Sequence, residues 1–553
     1  MSVLPRTLSS GRTAISRLGA LAGQGPAESF PCSIGRLLVL ALLAAGLAGF
    51  SLLWTIGPHD EGLMLAAGSR IASGQWPYRD FWTNYPPGQA LVLAGLDKLF
   101  GVSLLSWRVL GLAVDAGVSL LAYRLARRVA PERYALLAWV AAAGAMAFPT
   151  GPGPNPPALM LALAALLAAP RHWRLAGVLA GVAVLFRLEI GAAAVLGVML
   201  AAPPGRRLVT GTLGAGSGLA LLAPFFVVAP GAMWHDTVGF LGIQGLQRLP
   251  LPVAFDGPLR PSKLIEFYIP LILLAGSALW LAATVLASVR GIRSPRSRRL
   301  QARWLLGQPG RRLAIPLTRD WIDRDGASLA PAPLALVGVL YLLGRSDEFH
   351  LVPLSVVLAV LLAGAAAGAR QTALRLALLA ALALIAVHGL ERRAGQALHP
   401  PALAAVPGPA GDGVQTTPGD AAALRGLLAE VDRVTLPGEA IFVTDPRTDR
   451  VTAGDSLLYV ILSRPDATRY DVMQPGVVTT APVQREIVRA LARVRVVVRW
   501  LDPRSIAIEP NGSGRSSGVH ILDRYLAREF APVARFGYYL VLGRRGARGV
   551  AGA

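Results

Sequence analysis

The chain has 553 residues, 54% of them hydrophobic and 16% charged, and a mean hydropathy of +0.51. That is far more apolar surface than a soluble fold of this length can use, so the protein belongs in a membrane. The net charge of +22 is nearly all arginine, clustered in loops between apolar runs, which records membrane sidedness and argues against a nucleic-acid face; the single Cys32 excludes an intramolecular disulfide framework and a cysteine metal cluster.

In chain order, residues 1–36 carry Arg6, Arg12, Arg17 and Arg36 and read as a retained cytoplasmic N-terminal segment, because no small-residue cleavage pattern follows the next apolar run. Leu37 to Ile56 contains no charge, and at 1.5 Å per residue it covers about the ~30 Å of hydrocarbon that a helix must cross. This is span one, and it places "PHDEG" (58–62) outside. Residues 62–74 and 87–100 are too short and too mixed in polarity to cross, and are expected as helices lying along the outer interface. Span two (103–123) returns to the inner "RLARR", span three (134–149) leads to the outer turn "PTGPGPNPP", and span four (156–169) returns to "PRHWR".

Residues 174–201 give two short crossings interrupted at "FRLE" (186–189), with "PPGRR" inside. Span seven (208–229), an outer loop (230–263) and span eight (264–289) lead to the inner stretch Arg290 through Arg312. Three further crossings (329–344, 350–368 and 372–389) leave the remainder outside. Every arginine-dense loop then falls on one side, which fits a mainly α, polytopic bundle of about 11 spans over 37–390, anchored in the plasma membrane.

Residues 391–420, rich in Pro and Gly, read as a linker. Beyond it, β-branched runs at 439–445, 493–500 and 536–542 alternate with helical patterns near 420–432, 482–493 and 519–529, predicting a small extracytoplasmic α/β domain over 421–553. That domain contains Asp445, Asp449, Asp455, His520 and Asp523 without a spacing that marks a catalytic set, and its role reads as capping or acceptor docking.

The outer loop 57–102 carries the chemistry. Charge beside hydrocarbon costs on the order of 2.5–3.5 kcal/mol, so Asp60 and Glu61, one step beyond a span, need a reason. One is capping of the helix starting near Gly62. The other is catalytic: a carboxylate at the membrane surface can take the proton of an acceptor hydroxyl as general base. "HDEG" followed by "GQWPYRDFWTNYPPGQ" (74–89) resembles the first outer loop of the integral-membrane C-superfamily (GT-C) glycosyltransferases, the group of the protein mannosyltransferases and aminoarabinose transferases. The resemblance implies Asp60 as catalytic base, Glu61 as its neighbour or an acceptor-binding group, and a polyprenyl-phosphate-linked sugar as donor. It implies Asp80, with Tyr78 and Arg79, as residues that hold the acceptor or orient the loop. A weaker part of the likeness falls at "RSDEFHLVP" (345–353).

Such a transfer needs a cation at the membrane surface for the donor phosphate. Arg187, interrupting an apolar run beside Glu189, is the first candidate, its alternative being an ion pair with Glu189 or Asp115. Arg345, followed by Asp347 and His350, is the second. Trp54, Trp76, Trp82 and Tyr85 suit an aromatic belt, and Trp82 and Tyr85 also suit stacking on a sugar. His59 and His350 with nearby carboxylates could hold a divalent metal ion; no other cofactor and no bound nucleotide are expected. The expected activity is therefore inverting sugar transfer from the lipid-linked donor to a lipid, glycan or protein acceptor, in contact with membrane lipids and without nucleic acid. A transporter or lipid flippase is the competing reading, and it predicts charges at mid-membrane and repeated halves, which this sequence does not show.

Overall fold

A computed structural model describes residues 33–147, 152–245, 329–345 and 347–546, with isolated positions between 248 and 275. Residues 1–32, most of span eight and the stretch 290–312 lie outside the described residues.

Helix α1 (Ile34–Gly49) is capped by Ser33, whose hydroxyl accepts from the N–H of Arg36. The outer loop contains two short helices, α2 (Asp60–Ala72) and α3 (Gly88–Phe100). Then come α4 (Leu104–Val129), α5 (Glu132–Met146), α6 (Asn155–Ala168), α7 (Trp173–Phe186), α8 (Leu188–Ala201) and α9 (Arg207–Val228). Two short pieces, α10 (Pro230–Trp234) and α11 (Phe240–Gln244), flank a π-helical turn at His235–Gly239. The bundle ends with α12 (Ala332–Gly344), α13 (Glu348–Gly368) and α14 (Thr372–Leu398).

Apart from span eight, every expected crossing has a helix at its place. Among the described residues, four stretches, Leu104–Val129, Pro204–Val228, Phe349–Gly368 and Thr372–Leu398, are long and apolar enough to cross a membrane by length and composition. Others are short: the 14 residues of α7 reach roughly 21 Å at 1.5 Å each. The break foreseen at "FRLE" is a single residue, Arg187, extended at φ −146° and ψ 117°. The hairpin it makes is so close that a Cβ on Gly191 would stand 2.4 Å from the backbone nitrogen of Val184. Small residues seat the bundle in the same way elsewhere. A Cβ on Gly389 of α14 would lie 2.4 Å from the carbonyl carbon of Gly144 in α5, so these backbones touch without intervening side chains.

The C-terminal domain is α/β, with a four-stranded sheet in the order β3 (Phe442–Thr444), β4 (Val496–Trp500), β6 (Tyr539–Arg544), β5 (Phe530–Phe536). Its 391–420 approach is more ordered than a linker. Helix α14 runs on to Leu398, and β1 (Ala404–Ala405) pairs with β2 (Gln415–Thr416). Gln415 N–H donates to Leu53 O at 2.7 Å, fastening this ribbon to the segment after α1. Helix α15 (Pro418–Val434) leads to β3 (Phe442–Thr444), which runs parallel to β4 (Val496–Trp500). Helices α16 (Leu457–Ile461) and α17 (Ala481–Ala490) lie between these strands in sequence. Helix α18 (Ile521–Glu529) precedes the antiparallel hairpin of β5 (Phe530–Phe536) and β6 (Tyr539–Arg544). The 536–542 run is thus the turn and second arm of a hairpin. Its first arm carries Pro532 and a mixed burial pattern, as an edge strand tolerates.

Helix α2 differs from the interfacial helix expected, whereas α3 keeps Leu91, Leu99 and Phe100 exposed. Residues 61–68 of α2 are all buried. Leu63, Met64, Leu65 and Leu93 share one apolar core with Leu424, Val431, Ile441, Leu457 and Val497 of the C-terminal domain. Gly62 is the point of closest approach, where a Cβ would fall 2.1 Å from the nitrogen of Leu457. The outer loop is therefore the floor of the C-terminal domain, separate from the alanine-rich core of the membrane bundle.

Candidate active site

Glu61, 1% exposed, sits behind the loop and receives four hydrogen bonds. Arg108 Nε donates to its Oε1 and Arg108 Nη2 to its Oε2, both at 3.0 Å. Trp107 Nε1 donates to Oε1 at 2.9 Å and Gly57 N–H to Oε2 at 2.8 Å. The same guanidinium donates to the carbonyls of Leu52 at 2.8 Å and Thr55 at 2.7 Å. A buried carboxylate fully matched by a planar fork and two N–H groups holds the chain between α1 and α2 in one shape. It also holds Thr55 at a φ of +57°.

Asp60, one residue earlier, is exposed at the N-terminus of α2. It lines a cavity of about 650 Å³ between the outer loop and helices α4, α6 and α7. Asp115 and Arg393 line the same cavity, and they face each other electrostatically. Arg393 donates to Gln396 Oε1 at 2.7 Å and to Ser51 Oγ. Asp115 is therefore a neighbour of Arg393, while Arg187 pairs with Glu189.

Arg187 stacks between two rings, with Cζ 5.4 Å from the centroid of Tyr85 and 5.0 Å from that of Tyr341. Tyr85 interacts with Asp60 as well as with Arg187 and Glu189, and burial, chiefly, raises its hydroxyl pKa. Tyr85 thus lies within electrostatic reach of both the Asp60 carboxylate and the Arg187 guanidinium. Asn155 Nδ2 donates to the Tyr341 hydroxyl at 2.8 Å, and the His350 ring lies 4.2 Å from that of Tyr341. His350 Nδ1 is 2.6 Å from Asp347 Oδ1. Arg345 donates to Asp347 at 2.9 Å and, as a fork, to both oxygens of Glu509 at 3.1 and 2.7 Å, tying the end of α12 to the C-terminal domain.

The "YRDFW" residues build the loop. Tyr78 is wholly buried at φ +67°, and its hydroxyl donates to Tyr85 O at 2.8 Å. Asp80 accepts from the N–H of Trp76 at 2.7 Å and from Arg79 at 2.9 and 2.7 Å, and the Arg79 bond holds its pKa below the usual carboxylate range. Trp82, 4% exposed, packs edge-on against Phe240 at 5.7 Å, so its faces are spent on protein.

The C-terminal domain grips this loop through polar contacts. Gly454 N–H donates to His59 Nδ1 at 3.2 Å, and Arg70 pairs with buried Asp471. Arg504 reaches the Asp60 cavity. Behind Gly454, burial first of all pushes the Asp455 carboxyl up to about 7, and it also raises Asp445 alongside. The fold thus favours neutral Asp455. Its contribution to stability is complete below the ordinary carboxylate range and is lost as pH rises through about 7. Asp455→Asn is expected to raise the melting temperature relative to the parent at pH 8 and to leave it nearly unchanged at pH 4; equal differences at both pH values would contradict this.

Each of the two histidines expected to share a divalent ion has a protein partner at Nδ1, Gly454 for His59 and Asp347 for His350. Among the described residues, the side chains grouped closely enough to hold a metal are Asp449, His520 and Asp523 in the C-terminal domain. Sequence reading missed Arg108, Trp107, Arg393, Asn155 and Tyr341. The available signal was Arg108, a costly guanidinium in the second turn of an apolar helix.

No protein-family model and no curated protein matches the sequence. Among solved structures, ArnT from Cupriavidus metallidurans bound to undecaprenyl phosphate aligns at a TM-score of 0.50 and 16% identity, covering 94% of this chain and 99% of that one. Its apo state aligns at 0.51 and 15%, with the same coverage. The chain therefore shares the fold of ArnT over nearly its whole length.

Proposed function

We propose that this protein is a membrane glycosyltransferase that passes a sugar from a polyprenyl-phosphate-linked donor to an acceptor hydroxyl on the outer face of the plasma membrane. Its N-terminus is cytoplasmic and its C-terminal domain extracytoplasmic. The observation that carries the reading is an exposed carboxylate, Asp60, lining a cavity of about 650 Å³ that Arg393 and Arg504 also line, with the ring-stacked Arg187 next in the chain to its lining residue Phe186. The shared fold supports it, since ArnT was solved with undecaprenyl phosphate bound.

In the reaction Asp60 accepts the acceptor's proton as its oxygen attacks the anomeric carbon. The bond from that carbon to the phosphate oxygen breaks on the opposite face, inverting the centre and releasing polyprenyl phosphate. Arg187 is the better of the two candidates for steadying the leaving phosphate. Its Nε is buried without a hydrogen-bond partner among the described residues, with its Nη2 on Glu189, whereas Arg345 is spent on Asp347 and Glu509. Glu61 supports the loop from behind.

The purified protein is expected to release polyprenyl phosphate from a labelled polyprenyl-phosphate sugar when acceptor lipids or glycans are supplied. Reporter fusions after residues 300 and 450 are expected to mark opposite sides of the membrane. Absence of release across hexose and pentose donors, or both reporters on one side, would remove the reading.

A further inference from the structure

Two carboxylates and a histidine of the C-terminal domain that the transfer reaction does not use come together at one place. Asp449 lies five residues beyond the end of β3 and is wholly buried; His520 immediately precedes α18, and Asp523 stands in that helix's first turn. Their ligand atoms all lie within 4.8 Å of one another. His520 Nδ1 is 3.6 Å from Asp449 Oδ1 and 3.8 Å from Asp523 Oδ2. Both separations exceed a hydrogen bond, but they suit ligands about 3–4 Å apart astride one cation with bonds of about 2.0–2.3 Å.

A second observation points the same way. Thr448 is wholly buried between the two carboxylates, adjoining Asp449 in the chain and donating its N–H to both oxygens of Asp523 at 3.1 Å. Its hydroxyl has no hydrogen-bond partner among the described residues. The buried hydroxyl of Thr444 is likewise unpartnered, on the sheet face it shares with its register partner Arg499, whose guanidinium lies 3.9 Å from Asp523. Unmatched buried hydroxyl oxygens beside two carboxylates and an imidazole leave acceptors without donors at this place, among the described residues.

We propose that Asp449, His520 and Asp523 bind one divalent cation of the Zn²⁺ or Mn²⁺ class, which clamps the end of β3 to the start of α18. One imidazole nitrogen with two carboxylates favours these ions over Ca²⁺, which takes oxygen ligands. Arg447 donates to Asp449 at 3.0 and 2.8 Å, and Ser516 also donates to it, an outer shell of the kind that orients metal-binding carboxylates. Each carboxylate oxygen has two acceptor directions, so Arg447 leaves room for the ion. His520 is 40% exposed, which gives the cation an entry path and a place for water.

The test uses the full chain in detergent, purified without a polyhistidine tag, stripped with chelator and titrated with Zn²⁺, Mn²⁺ or Ca²⁺ alone by calorimetry. The expected result is about one Zn²⁺ or Mn²⁺ per chain, weakened about tenfold or more in His520→Ala and in Asp523→Asn and unchanged in His350→Ala. Tryptophan fluorescence of the stripped proteins shows whether each variant is folded; if Asp523→Asn is not, the surface variant His520→Ala decides. No Zn²⁺ or Mn²⁺ binding by the parent, equal binding by parent and His520→Ala, preference for Ca²⁺, or loss confined to His350→Ala overturns the proposal.

Discussion

Replacing Asp60 by Asn is expected to lower sugar transfer by about 10²–10⁴-fold, the range that a positioned general base supplies. The substitution keeps the shape of the side chain and removes its ability to take a proton. Asp60 is exposed and stands apart from the Glu61 and Arg108 lock, so expression and melting temperature should stay at parent values. The loss should appear in kcat, with the donor KM little changed, because the acceptor proton moves only in the transition state. A membrane preparation of Asp60→Asn that transfers labelled sugar at the parental rate would falsify the base assignment.

The second large effect is on stability. Arg108→Ala leaves the Glu61 carboxylate buried without its counter-charge and strips donors from the carbonyls of Leu52 and Thr55. Removing one partner of a buried pair costs about 3–5 kcal/mol, whereas replacing both by apolar residues of similar size is often far milder. Arg108→Ala is therefore expected to lower the melting temperature in detergent steeply, and Glu61→Leu combined with Arg108→Met should recover most of the loss. If the double variant melts as low as the single one, Arg108 matters for something other than charge pairing. Activity should fall with the single variant too, since the segment that presents Asp60 begins at the Gly57 N–H held by Glu61.

How far the letters alone lead can be judged residue by residue. The break at Arg187 was legible because a guanidinium inside an apolar run is a local anomaly. Helices α2 and α3 were found in place, yet the surroundings of α2 were misjudged, since modest hydropathy suits a membrane interface and a protein interface equally. Tyr78, Asp80 and Trp82 were noticed as unusual; their engagement in building the loop depends on contacts with Tyr85, Trp76 and Phe240 that no spacing reveals.

The sequence by itself determined the membrane class, the positions of the apolar helices, the loop 57–102 with its acidic pair, and the change to α/β beyond the bundle, because hydropathy and periodicity are properties of neighbouring residues. Only the tertiary structure decided which member of the acidic pair is sealed by Arg108, which arginine stacks on Tyr85, and which core α2 joins. Those outcomes rest on pairings such as Glu61 with Arg108, Gly62 with Leu457 and Arg345 with Glu509. Charge and shape are matched there across tens to hundreds of residues, and chain proximity carries no information about such matches.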